Sequence, residues 1–115
     1  MTTAIVTDLR SYLNVLEQAG ELSRVRVPVS LEQEIGAVCL RNLRAGGPGL
    51  LFERPGERAI PLAVDLLASR RRYALALGIE ADQLAAEWNR RTSNPLPPVL
   101  VERGACQENV LMGKE

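Results

Sequence analysis

The chain has no histidine, so it lacks the side chain that most often serves as general base or metal ligand near neutral pH. Its serines, Ser11, Ser23, Ser30, Ser69 and Ser93, lie outside any G-x-S-x-G nucleophile elbow, and its acidic residues form no obvious catalytic pair. Only two cysteines are present, Cys39 and Cys106, in no CxxC pattern; both read as reduced thiols, with Cys39 a small buried hydrophobe and Cys106 a residue of a bend with no histidine to activate it. Aromatic residues make up just 3%, which leaves a core to be built from Leu, Val, Ile and Ala. Positive and negative charges balance at 14 each, giving no field to collect nucleic acid or an anionic membrane. No apolar run approaches the roughly 18 residues needed to span a bilayer, and the first residues lack the basic-then-apolar pattern of an export signal. These features predict a cytoplasmic chain with no nucleic-acid partner and no membrane span.

What the chain does have is the patterning of one α/β domain. Its 115 residues, 46% of them hydrophobic, suffice to bury about 60–70% of the unfolded surface. Leu9, Tyr12, Leu13 and Leu16 recur at helical spacing, with Thr7 as the expected N-cap and Gly20 as the stop. Leu22, Val25 and Val27 continue as a strand. A second helix is predicted from Leu31 to Arg44, capped by a Ser30/Gln33 box, with Glu32 and Glu34 at its positive end, Arg41 and Arg44 at its negative end, and a buried stripe of Leu31, Ile35, Val38, Cys39 and Leu43. Leu16 and Ile35 are expected to face one core.

Gly46, Gly47 and Gly49 invite a phosphate-loop reading, but they follow a helix instead of preceding one, and Phe52 stands where the last glycine of GxGxxG would be. Such a loop offers carbonyls and the negative end of the dipole, which an anion avoids. Helix stop and turn is the better account. Leu50 to Arg54 then reads as a strand, Pro55-Gly56 as a turn, and Ile60 to Asp65 as the returning strand. The outcome is a small mixed sheet with helices packed against it, in a single domain.

Arg70, Arg71 and Arg72 stand together just after Ser69, the expected cap of a helix that ends at Gly78. Three cations in a first turn oppose the helix dipole. Either nearby carboxylates such as Asp65, Glu80 or Asp82 and solvent compensate, or one or more arginines face another domain or subunit. Ala81 to Thr92 reads as a further helix on which Leu84 and Trp88 share a face. Trp88 is expected in the core or at an interface; stacking on a substrate is the alternative. Asn94, Pro95, Pro97 and Pro98 mark a linker. Residues 1–93 therefore read as the domain, 94–98 as its proline-rich linker, and 99–115 as an extended segment. Val99 to Val101 and Val110, Leu111 and Met112 are apolar runs with no later strand to cover them. Val110, Leu111, Met112 and the arginine cluster are the expected interdomain or subunit contacts, and self-association through the extended segment is predicted.

The stretch Thr7 to Val27 (TDLRSYLNVLEQAGELSRVRV), with Glu21-Leu22 directly after the glycine, resembles the N-terminus of the UbiD family. Gly46 to Glu53 (GGPGLLFE), Arg70 to Gly78 (RRRYALALG) and Pro98 to Glu108 (PVLVERGACQE) resemble successive blocks of the same family's first domain. The resemblance implies a lyase: a carboxy-lyase, or decarboxylase, that acts with prenylated FMN and a divalent metal on aromatic or α,β-unsaturated carboxylic acids. In that family the Glu-Arg-Glu network and the metal ligands belong to motifs downstream of these blocks. The implied role of this stretch is thus that of a structural N-terminal domain, a fragment of the complete enzyme. It is expected to have no catalytic, cofactor-binding or metal-binding residue of its own, and its partner would be the remainder of such an enzyme or a partner subunit of an oligomer. The alternative is a stand-alone interaction module or a small accessory subunit of a decarboxylase complex.

Overall fold

A computed structural model of the chain describes residues 6–57 and 60–113; the ends of the domain and segment boundaries drawn above, at residues 1–5 and 114–115, lie outside them. Helix α1 (Leu9–Gln18) is capped by Asp8, one residue later than the sequence suggests. The Asp8 carboxylate accepts from the Ser11 amide at 2.8 Å, while the Ser11 hydroxyl accepts from the Asp8 amide at 3.1 Å. Asp8 wins over Thr7 because its two-oxygen acceptor completes a reciprocal capping box with Ser11. Gly20, at φ 71°, then turns the chain into β1 (Leu22–Val25).

Helix α2 spans Glu34–Arg44, so the predicted start at Leu31 and the Ser30/Gln33 box are corrected. Gln33 sits in the left-handed region at φ 64°, which no helix interior accepts. Glu34, not Gln33, reaches back, taking the Ser30 amide at 2.7 Å; a carboxylate makes the stronger acceptor. The chain then forms β2 (Gly49–Phe52) and β3 (Leu62–Val64), the latter shorter than expected. Helices α3 (Arg70–Leu77) and α4 (Leu84–Thr92) follow. The limits of α3 fall where Ser69 and Gly78 place them: the serine hydroxyl accepts from the Arg72 amide at 3.2 Å, and Gly78 is left-handed at φ 67°.

The sheet order is β1-β2-β3, parallel between the first pair and antiparallel between the second. Register sorts the side chains by face. Val25, Leu50, Phe52, Leu62 and Val64 share one face, on which Val29, Ile35 and Cys39 of the α2 region pack. Leu22, Arg24, Gly49 and Leu51 point the other way, and Arg24 reaches Glu17 of α1 at 2.6 Å. Helix α1 packs on β1 and α3 from that side. The sheet is therefore sandwiched, and Leu16 and Ile35, both buried, belong to opposite faces instead of one core.

Most of the predicted α2 stripe is on the surface: Leu31, Val38 and Leu43 are exposed, and only Ile35 is buried. Helix α1 likewise buries Tyr12 and Leu16 but leaves Leu9 out. Beyond α4 the described residues carry a single 3-10 turn, Ala105–Gln107, and neither Val99–Val101 nor Val110–Met112 forms a strand. The picture of a tail that leaves a sheet edge open is corrected, since the edges of this sheet are β1 and β3. The radius of gyration, 17.9 Å, exceeds the about 13 Å of a compact chain of this length.

Candidate interaction site

Two groups of side chains stand out, one turned inward and one outward. The inward group closes on Glu21. Its backbone is fixed by two bonds, from its own amide to the Leu16 carbonyl at 2.8 Å and from the Gly49 amide to its carbonyl at 2.9 Å. Its carboxylate takes Arg72 Nη1 at 3.1 Å and Arg71 Nε at 3.2 Å. Arg72 also donates to the Gly47 carbonyl at 3.0 Å and is almost wholly buried, although its Nε has no partner among the described residues. The Tyr12 hydroxyl lies 2.8 Å from the carbonyl oxygens of both Leu66 and Arg72, tying α1 to α3. Burial pushes the Tyr12 phenol up, keeping it a neutral donor.

The glycine turn takes part in this closure. Gly46, at φ 66°, reverses the chain after α2, and the Asn42 amide holds the Pro48 carbonyl at 2.8 Å. A Cβ on Gly47 would collide with the Asn42 side chain. The loop presents its Gly47 carbonyl to a guanidinium, in keeping with a helix stop and not with an anion cradle.

The outward group lies between α3 and α4. Arg70, Tyr73, Leu84, Ala85, Trp88 and Asn89 line a cleft of about 380 Å³, within the usual range for small pockets. Tyr73 and Trp88 meet edge to face, with ring centroids 6.3 Å apart and planes at 88°. Trp88 is 51% exposed, which removes it from the core. Glu87 on the same helix holds Arg90 and Arg91, each at 2.6 Å, and the two guanidiniums depress its carboxyl to about 2.

The sequence-predicted contact residues thus separate. Arg70 is on the surface at the rim of the cleft, Arg71 is exposed but paired, and Arg72 is inside. The compensating carboxylate of Arg71 and Arg72 is Glu21, not Asp65, Glu80 or Asp82. Val110, Leu111 and Met112 are all exposed. Sequence reasoning did not single out Tyr73 as part of a site, although it is one of only four aromatic residues in the chain, a scarcity that makes two meeting at one cleft informative. Among the described residues, no three His, Cys, Asp or Glu side chains converge as a metal site, and no helix is long and apolar enough to cross a membrane.

Comparison with known proteins places this arrangement. Residues 13–92 match the family model of the 3-octaprenyl-4-hydroxybenzoate carboxy-lyase N-terminal domain. The fold is similar to part of the vanillic acid decarboxylase of Sedimentibacter hydroxybenzoicus in its open form, with 30% identity and TM-score 0.69 over 75% of this chain and 20% of that one. A second structure of that enzyme, with a truncated ShVdcD, gives 32% identity and TM-score 0.72 over 91% and 24%. An evolved dimeric form of the UbiD-class enzyme HmfF from Pelotomaculum thermopropionicum, in complex with prFMN, gives 30% identity and TM-score 0.66 over 84% and 22%. The chain spans between 20% and 24% of the length of these structures.

Proposed function

The chain belongs to the UbiD family of carboxy-lyases, as the family's N-terminal domain, and we propose that its own role is structural: it packs beside the flavin-binding region and supports the enzyme without taking part in the chemistry. The observation that carries this reading is the Glu21 cluster. The charged groups Glu21, Arg71 and Arg72 are engaged in holding α1, α3 and the Gly46–Gly47 turn together. Arg70, Trp88 and the apolar Val110, Leu111 and Met112 remain outward, as contact residues would. The complete enzyme would remove or exchange carbon dioxide on an aromatic or α,β-unsaturated carboxylic acid. A stand-alone module or accessory subunit is the less favoured reading, because the similar structures are much longer enzymes that contain this domain.

In the complete enzyme, prenylated FMN would supply the chemistry of decarboxylation, with a divalent metal helping to hold it. The described residues do not fit this group. The glycine turn presents a carbonyl already taken by Arg72, and the cleft lining offers one cation and no carboxylate to ligate a metal. No step of the decarboxylation is therefore assigned to residues of this chain. The test is carbon dioxide release from aromatic and unsaturated acids by the purified chain. None is expected with or without added cofactor; sustained turnover would overturn the reading.

A further inference from the structure

We draw no further inference here: the strongest candidate, the Tyr73–Trp88 cleft between α3 and α4 with Arg70 at its rim, belongs to the face already given to the remainder of the enzyme, and nothing in the structure shows what covers it.

Discussion

Arg72 and Glu21, 51 residues apart in sequence, meet inside the domain with Nη1 of the arginine 3.1 Å from Oε2 of the glutamate. The arginine side chain is 4% exposed and the glutamate's 19%. Removing one partner of such a pair leaves the other charge buried and uncompensated, which costs about 3–5 kcal/mol. Glu21→Ala is therefore expected to destabilise the domain strongly in urea. Replacing both at once, as Glu21→Leu with Arg72→Met, should cost clearly less than the sum of the two single changes. Simple additivity would mean that the pair is not coupled.

The two faces of the sheet give a second outcome. Leu16 is fully buried beside α3 and Ile35 is buried beneath α2, so either change to Ala should cost about 2–5 kcal/mol. Because no partner is shared, their effects should add to within about 0.5 kcal/mol. Marked coupling in a double-mutant cycle would return both residues to a single core.

These two cases mark what could be read in the sequence. The limits of α3 were legible because Ser69 and Gly78 act on their own turn, and Gly20 and Gly46 are equally local stops. The start of α2 was not, since choosing Glu34 over Gln33 for the Ser30 amide depends on a left-handed residue that no spacing reveals. Burial was the least legible property. Leu31, Val38 and Leu43 have helical periodicity, yet a three-stranded sheet is too narrow to cover them. The partner of Arg72 was hidden as well, because Glu21 comes near only once α1 and α3 have packed.

Acid should act on α4. Arg90 and Arg91 lower the Glu87 carboxyl from 4.5 to about 2, so the support it gives is complete above about pH 4.5 and is lost as the pH falls through about 2. A carboxyl NMR titration should place the Glu87 midpoint near the lower value. Glu87→Gln should abolish the dependence in α4, and a midpoint above 4 would contradict the pairing.

The thiols should differ in reactivity. Burial, with Asp65 nearby, pushes the Cys39 thiol up, whereas Cys106 is exposed. Alkylation near pH 8, followed by mass spectrometry, should label Cys106 first and Cys39 only slowly. Equal rates would show that α2 opens readily from the sheet.

The tail should be silent within the isolated domain. Leu111 is 98% exposed, so Leu111→Asp is expected to change its stability by less than about 0.5 kcal/mol. In a complete enzyme of the family the same change should weaken the contact between this domain and the remainder, seen as faster proteolysis near residues 94–98. Strong destabilisation of the isolated chain would mean that the tail packs on its own domain.

The central claim is that this domain supports a flavin enzyme without holding the flavin. Its most direct test is cofactor retention: the purified 115-residue chain is mixed with prenylated FMN and a divalent metal, passed through a desalting column, and read for flavin absorbance. The account predicts protein fractions without that absorbance. Stoichiometric retention would contradict it.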